Sequence, residues 1–374
     1  LPRGNFEYIL IGNNMKTLTP CDRVLTAFNH QEPDRVPLNF VGANSVIDKK
    51  LKKHFDLAED DNDGLMEALN VDFRVIDVPY TGPVLHQPVD GRNIDPLWGI
   101  HTRWIENESG GYWDFCDFPL KDAGLEEVEN WPMPNPDDFD YSVVKHLCKK
   151  YENYCVIFGN PGFGDLINST GMIRTMEQVL IDLALDELPG LKYMQRKVSI
   201  QAQILDRVLD AADGGVDLVW VGEDLGTQKS PLIGLELFRK HIRPNHQKII
   251  DVAKNYGNLP VMIHSCGSSS WAFEDFIEMG INVVDTLQPE AANMSPEYLK
   301  KNFGNRLAFH GSISTAGAMA FGTVDQTVED VQKTLNIMKP GGGYAMAPTH
   351  MIQDDSPLEN VLAVYKTALN YGKY

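Results

Sequence analysis

The stretch Leu259-Pro-Val-Met-Ile-His-Ser-Cys-Gly267 joins a short apolar run to two side chains that can bind a metal. The apolar run Val261–Ile263 predicts a buried strand, and Gly267 predicts a turn into the next helix. Side chains two positions apart on an extended segment point to the same side, so His264 and Cys266 can reach one point in space. In an α/β protein that point lies at the carboxyl end of a strand, where such folds place their chemistry.

Strands and helices alternate on both sides of this stretch. Apolar runs predict eight strands, at 36–41, 71–78, 155–159, 216–222, 260–264, 281–286, 307–310 and 344–347. Helical patterns fall at about 45–69, 145–152, 172–212 with a break near Pro189, 235–257, 271–279, 295–303, 325–338 and 357–371. Most of the strands are near-continuous apolar runs, as in a sheet covered on both faces. We therefore predict an α/β fold, a single (β/α)8 barrel. A doubly wound sheet is the alternative, but no Gly-x-Gly-x-x-Gly follows the first strand.

Two segments do not follow this alternation. Residues 80–140 are rich in Trp, Gly and Pro, and they predict an inserted β-hairpin and loop that either covers a site or decorates the surface. Leu1-Pro-Arg-Gly4 is typical of a cleaved linker, so residues 1–14 are expected to be a leader. Residues 15–374 are expected to form the barrel.

Composition and charge narrow the class of protein. Of the 374 residues 43% are hydrophobic and 23% charged, an ordinary globular composition. The net charge of -19 argues against partners such as nucleic acid or an anionic membrane. There is no apolar run of about 18 residues, which argues against a membrane span. Five scattered cysteines favour a reduced, cytoplasmic setting.

Polar and metal-capable side chains follow most of the predicted strands. The carboxyl ends of barrel strands meet on one face, so these side chains are expected to converge there. They are Asn39, Asn44, Asp77, Asn160, Asp165, Glu223, Asp224, His264, Cys266, Asp285, Gln288, His310 and His350.

His264, Cys266 and His350, which follows the last strand, form the predicted metal site. Three protein ligands and an open position are the arrangement of a catalytic zinc site, and sulfur with imidazole selects zinc over magnesium or calcium. Glu223 is predicted as a fourth ligand or as a hydrogen-bond acceptor for an imidazole N–H. His310 is the alternative third ligand, although its neighbour Gly311 favours an orienting or structural role.

A set of motifs in fixed order extends over nearly everything after Met15. They are Thr19-Pro-Cys-Asp-Arg-Val-Leu25, Pro33-Asp-Arg-Val-Pro37, Trp220-Val-Gly-Glu-Asp-Leu-Gly-Thr-Gln228, Ile263-His-Ser-Cys-Gly-Ser268, Asp285-Thr-Leu-Gln-Pro289, His310-Gly311, Gly341-Gly-Gly-Tyr344, Pro348-Thr-His350 and Pro357-Leu-Glu-Asn360. This pattern resembles the uroporphyrinogen decarboxylase superfamily, and the resemblance implies a (β/α)8 barrel.

That superfamily contains metal-free decarboxylases and cobalamin-dependent methyltransferases. The decarboxylases carry an early Arg-Gln-Ala-Gly-Arg stretch, whereas Val41-Gly-Ala-Asn-Ser45 stands here. His264-x-Cys266 resembles two zinc ligands of the methyltransferases, whose third ligand is often a cysteine before Pro-Leu-Glu-Asn. His350 stands at the corresponding place. The resemblance therefore implies a zinc methyltransferase acting with a corrinoid (cobalamin) protein, and His350 makes it similar to members that demethylate methoxylated compounds.

On this interpretation, zinc polarises an ether or alcohol oxygen of a small methylated substrate while the methyl group moves to the corrinoid cobalt. The predicted catalytic residues are Glu223, Asp285 and His310. The predicted substrate contacts are Asn160, Asp77 and Gln288. Three alternatives stay open: transfer from the corrinoid protein to a thiol or folate, a metal-free decarboxylase using Asp77 or Asp285, and a non-enzymatic binder. A homodimer is the assembly that the family suggests.

Overall fold

The main sheet is built from seven parallel strands. The computed structural model describes residues 18–106 and 111–374, so the predicted leader 1–14 lies outside the described residues. In chain order the strands are β1 (Phe73–Ile76), β2 (Asn93–Ile94), β3 (His101–Ile105), β4 (Tyr112–Phe115), β5 (Cys155–Gly159), β6 (Leu218–Gly222), β7 (Val261–Ser265), β8 (Val283–Thr286), β9 (Ala308–Ile313) and β10 (Tyr344–Pro348). The sheet order β1-β5-β6-β7-β8-β9-β10 follows the chain, and every neighbouring pair is parallel.

Helices connect the parallel strands. They are α1 (Pro20–Phe28), α2 (Ser45–His54), α3 (Asn62–Ala68), α4 (Leu125–Asn130), α5 (Ser142–Lys150), α6 (Ile167–Arg174), α7 (Met176–Leu185), α8 (Leu188–Ala212), α9 (Leu235–Leu237), α10 (Arg243–Asn255), α11 (Phe273–Met279), α12 (Pro296–Phe303), α13 (Ala318–Phe321), α14 (Val324–Met338) and α15 (Leu358–Tyr371). A π-helical turn (Phe238–Ile242) joins α9 to α10. Local sequence sets several starts: Thr19 accepts a hydrogen bond from the Asp22 amide, and Thr323 forms a capping box with Gln326.

Every residue of β5, β6, β9 and β10 is buried. Because the strand order follows the chain without reversal, right-handed crossovers place the connecting helices on one side of the sheet. Burial of the other side is then explained by a sheet that curls around its own side chains. The ring of His310 on β9 lies 5.6 Å from the ring of Phe73 on β1 and 6.2 Å from that of Trp220 on β6. Side chains from distant strands therefore meet inside a curled sheet, and the predicted α/β class and parallel order are confirmed.

The predicted first strand, 36–41, is not a full strand of this sheet. It makes one parallel bridge, between Leu38 and Met346 of β10. The Asn39 amide donates to the Met346 carbonyl over 2.9 Å, and the Asp72 amide, just before β1, donates to the Leu38 carbonyl over 2.8 Å. The segment thus contacts both edges of the sheet without extending its ladder. Pro33 and Pro37, which lack an amide hydrogen, limit the pairing it can make.

A buried ion cluster explains the two N-terminal Asp-Arg motifs. The Asp72 carboxylate accepts from Arg23 Nη1 at 2.6 Å and from Arg35 Nη1 at 2.7 Å. Its Oδ2 atom also accepts from the Leu38 amide at 2.8 Å. Asp34 pairs with Arg23 Nε at 2.6 Å, so each buried charge has a partner. These residues hold α1 and segment 36–40 against β1.

The 80–140 segment contains a separate antiparallel sheet, in the order β2-β3-β4. Trp104 and Trp113 lie opposite each other on β3 and β4, with ring centroids 5.5 Å apart. They are 50% and 53% exposed. Residues 107–110, between these strands, lie outside the described residues. Whether this sheet covers a site stays a prediction.

Within the described residues, none of the helices has the length and apolarity needed to span a bilayer. The cysteines at 21, 116, 148, 155 and 266 form no disulfide in the described part of the chain.

Candidate metal centre

His264 and Cys266 lie together at the carboxyl end of β7, as their spacing predicts. His264 is the fourth residue of the strand, and Cys266 follows its last residue. The His264 Nε2 atom lies 3.3 Å from the Cys266 sulfur, and both side chains are partly exposed. The two atoms can therefore bind one ion.

Asp224 supplies a third group at this point. One ligand atom from each of Asp224, His264 and Cys266 lies within 4.8 Å of the others. Asp224 Oδ1 accepts from the Cys266 amide at 2.7 Å, and Oδ2 accepts from Asn168 Nδ2 at 2.7 Å. The carboxylate is therefore held in place by two donors before any ion binds.

The pairing of β6 with β7 could have identified Asp224 from the sequence. Gly222 pairs with His264 in the parallel ladder. Two residues further along each strand come Asp224 and Cys266, which the period of two places on the same side as that pair. Glu223, one residue away, must point to the opposite side. The predicted choice of Glu223 over Asp224 did not use this register.

We call Asp224, His264 and Cys266 the ligand group. Asp285 hydrogen-bonds His264 of this group and also His310. Its Oδ2 atom accepts from His264 Nδ1 at 2.7 Å, and its Oδ1 atom accepts from His310 Nδ1 at 2.6 Å. Burial acts to raise the pKa of Asp285, but its interactions with His310 and His264, including a hydrogen bond from each imidazole, together lower it to about 2. Asp285 is therefore an ionised acceptor at neutral pH, an arrangement that orients metal-binding imidazoles.

The pKa values of the two ligand side chains also shift. Burial opposes the charged form of His264, yet hydrogen bonds with Asp285 and Cys266 raise its pKa well above the ordinary value. Burial raises the pKa of Cys266, partly offset by His264. A bound cation would displace the hydrogens shared between these two groups, since metal ligands are deprotonated.

Glu223 lies in a separate, buried cluster. Its carboxyl accepts from the Leu166 and Ile167 amides at the start of α6, at 3.1 and 3.0 Å, and hydrogen-bonds His246 Nε2 at 2.9 Å. Asp165 belongs to the same cluster, and burial together with the neighbouring Glu223 carboxyl raises the pKa of Asp165 well above its ordinary value. Burial raises the pKa of Glu223 to about 8, against the effect of those amides.

The three predicted substrate contacts are placed in two ways. Gln288 Oε1 accepts from the Gly267 amide at 2.6 Å, so this side chain borders the ligand turn. Asn160 and Asp77 are exposed and accept from amides of their own loops, those of Gly162 and Val78. Their contact with a substrate stays a prediction.

His350 is exposed, and its Nδ1 atom lies 3.2 Å from the Met351 carbonyl oxygen. Among the described residues, the group of closely spaced ligand atoms contains Asp224 but not His350 or Glu223. The roles predicted for His350 as a ligand, and for Glu223, Asp285 and His310 in catalysis, stay predictions.

The donor set fits zinc. It consists of one sulfur, one imidazole nitrogen and one carboxylate oxygen, which is within the range of zinc ligands. The sulfur disfavours magnesium and calcium, which prefer oxygen alone. Three protein ligands on a partly exposed rim leave a coordination position open, as in catalytic rather than structural zinc sites.

Comparison with known proteins places this site in a context. The family model for uroporphyrinogen decarboxylase (URO-D) matches residues 177–371, which include Asp224, His264, Cys266 and Asp285. A methyltransferase from Methanosarcina mazei has a similar structure, with a TM-score of 0.63 and 17% identity, covering 95% of this chain and 99% of that one. Xylanase 10B from Thermotoga maritima matches at a TM-score of 0.40 and 11% identity, over 63% of this chain and 82% of that one. No curated protein sequence matches the chain.

Proposed function

Because the chain belongs to the uroporphyrinogen decarboxylase family, we propose that it is a zinc-dependent methyltransferase. It moves a methyl group from a small methylated, preferably methoxylated, substrate to the cobalt of a separate corrinoid protein. The observation that carries this proposal is the convergence of Asp224, His264 and Cys266 at the carboxyl end of β7. The similar fold of the Methanosarcina mazei methyltransferase is consistent with it.

His264 and Cys266 would hold the zinc together with Asp224, and the predicted ligand His350, on the loop after β10, is the alternative third ligand, so one position stays open for substrate. When bound, zinc supplies Lewis acidity to an ether or alcohol oxygen, and the corrinoid partner supplies the cobalt that receives the methyl group. The chain's own residues orient the ligands. Asp285 occupies Nδ1 of His264, so Nε2 is the nitrogen that faces Cys266. Gln288 holds the Gly267 amide and with it the turn after Cys266.

The fold supports access by a second protein. His264 and Cys266 are partly exposed, so the ligand group lies on the rim of the sheet and not inside it. We also propose that segment 36–40 completes an eight-stranded (β/α)8 barrel, because it hydrogen-bonds to both β10 and the residue before β1. A cytoplasmic location and a homodimer are part of the same proposal.

The proposal is tested first by the metal content of the purified protein, measured by elemental analysis without chelators. We expect about one zinc per chain, lost in Cys266→Ala, since thiolate ligands dominate such sites. Cys148→Ala is the matched control, because it removes a buried thiol on α5 that is remote from the ligand group. Zinc-free wild-type protein, or full zinc in Cys266→Ala, would sink the proposed site.

A second measurement follows the absorbance of a corrinoid protein with a panel of methylated donors. We expect methylation with at least one methoxylated donor, and loss of it in His264→Ala. His350→Ala tests the loop ligand separately. Methyl transfer from the corrinoid to a thiol or folate would reverse the proposed direction. Porphyrinogen decarboxylation without metal would assign the chain to the lyases instead.

A further inference from the structure

A line of hydrogen bonds runs from the ligand group to Asn39, on the segment between the two edges of the sheet. Asn39 Nδ2 lies 3.0 Å from His310 Nε2, and His310 Nδ1 lies 2.6 Å from Asp285 Oδ1. Asp285 Oδ2 lies 2.7 Å from Nδ1 of His264. The four side chains thus connect a non-ligand residue to a proposed zinc ligand.

The donor and acceptor roles along this line are determined by its first member. Asn39 Oδ1 accepts from the Phe40 amide at 2.8 Å, which assigns the oxygen and nitrogen of the side-chain amide. The amide nitrogen only donates, so Nε2 of His310 must accept and carry no hydrogen. Nδ1 of His310 therefore carries the hydrogen that it donates to Asp285. The side chain of Asn39 selects one tautomer of His310.

The line of hydrogen bonds continues through the carboxylate of Asp285. With one oxygen engaged by His310, Asp285 accepts from Nδ1 of His264 through the other. The remaining nitrogen of His264, Nε2, is the one that lies 3.3 Å from the Cys266 sulfur. Three successive hydrogen bonds thus connect the side-chain amide of Asn39 to Nδ1 of His264.

Packing leaves these groups little freedom to exchange partners. His310 is 0% exposed and Asn39 5% exposed, so water does not readily replace either contact. The Asn39 amide donates to the Met346 carbonyl at 2.9 Å, and the Tyr365 hydroxyl donates to the Asn39 carbonyl at 3.0 Å. The backbone that presents the Asn39 side chain is therefore held from both sides.

We propose that Asn39 and His310 are positioning residues that fix the imidazole of His264 for zinc. Both ring nitrogens of His310 are engaged, so it serves neither as a zinc ligand nor as an acid or base toward substrate. The inference rests on the proposed function for the identity of the ion. The tautomer of His310 does not depend on the ion.

The test combines two readouts on metal-free protein. Long-range ¹H–¹⁵N NMR of the imidazoles should show wild-type His310 with its hydrogen on Nδ1 and none on Nε2. Asn39→Asp replaces the donor by an acceptor of the same size and should place a hydrogen on Nε2. Zinc titration should show about 10-fold weaker binding for Asn39→Leu, the order found when outer partners of metal ligands are removed. Asn39→Asp should bind zinc no more tightly than Asn39→Leu.

Asn360→Leu is the matched control. Asn360 is also a buried amide, 2% exposed, but it donates to the Met319 and Gly322 carbonyls away from this line. Asn360→Leu should lower the unfolding temperature without weakening zinc binding. If Asn39 had only a structural role, Asn39→Leu would behave in the same way. A hydrogen on Nε2 of wild-type His310 would overturn the proposal without any variant, and so would unchanged zinc affinity in folded Asn39→Leu. Wild-type protein that binds no zinc would overturn the proposed function. The tautomer of His310 measured by NMR would then decide whether Asn39 orients that imidazole.

Discussion

Glu223 and Asp224 are adjacent carboxyl side chains at the end of one strand, yet they lie in two different environments. Asp224 is partly exposed and faces His264 and Cys266. Glu223 is 1% exposed and binds the start of α6 together with His246. Since successive side chains of an extended segment point to opposite sides, these two adjacent residues supply a proposed metal ligand, Asp224, and a buried hydrogen-bonding partner of α6, Glu223. At a strand end, the side to which a residue points determines its role, and its chemical type alone does not.

Replacing Glu223 should give the largest change in the free energy of unfolding. Glu223→Ala leaves the Leu166 and Ile167 amides buried without their acceptor and removes the hydrogen-bond partner of His246 Nε2. Each orphaned donor costs about 1–3 kcal/mol, so we expect the free energy of unfolding to fall by about 3 kcal/mol or more. Urea unfolding of the metal-free protein measures it. The control is Glu236→Ala, an exposed carboxylate at the start of α9, which should change stability by less than about 0.5 kcal/mol.

Replacing Asp224 should have the opposite effect, a change in zinc affinity and not in stability. Asp224→Asn keeps the size of the side chain and an oxygen that can accept from the Cys266 amide. It removes the negative charge that would face zinc, so we expect zinc binding to weaken about 10- to 100-fold while stability changes little. Zinc titration by calorimetry, beside Glu223→Gln, checks this difference. Equal zinc affinity in the two variants would contradict the different roles proposed for Asp224 and Glu223.

The smallest expected effect concerns pH. Burial raises the pKa of Glu223 from its ordinary 4.5 to about 8, so the folded protein holds a proton that the unfolded chain has released. Between about pH 6.5 and 8 the unfolded state binds fewer protons, and the free energy of unfolding should fall as pH rises, by about 1–2 kcal/mol. His246, whose pKa burial lowers from its ordinary 6.5 to about 4, is neutral in the folded state but partly protonated in the unfolded chain near pH 6.5, so it opposes this slope by about 0.4 kcal/mol at that end of the range and has almost no effect at pH 8.

Glu223→Gln should flatten this slope, because an amide does not titrate. Asp165, whose pKa is raised by burial and by Glu223, contributes with the same sign, so part of the slope should remain. Urea unfolding of the metal-free variant and wild type at pH 6.5, 7.25 and 8 gives the comparison. A wild-type free energy that rises with pH over this range would contradict the assignment of a proton to the carboxyl pair.

The sequence allowed prediction of most of the sheet and of the proximity of two of the three clustered donor side chains, for definite reasons. Apolar runs mark β5 to β10 because both faces of those strands are buried, and His264 and Cys266 follow from a period of two. Asp224 needed one more step, the register between β6 and β7. The contact of Asn39 with His310 had no local signal, since it depends on how the sheet curls. The position of His350 depends on a loop, whose path the period of a strand does not determine.

The contact between Asn39 and His310 joins residues 271 positions apart, and the contact between Tyr365 and Asn39 spans 326. Contacts of such long range form late, because the chain between them must first be ordered. During synthesis His264 and Cys266 leave the ribosome before the residues of β10 and α15 that hold Asn39. If Asn39 positions His264 as proposed, we expect the imidazole of His264 to acquire its final orientation late in folding. We expect a nascent chain to bind zinc loosely, and tight capture of the ion to coincide with docking of α15 and to report a finished molecule.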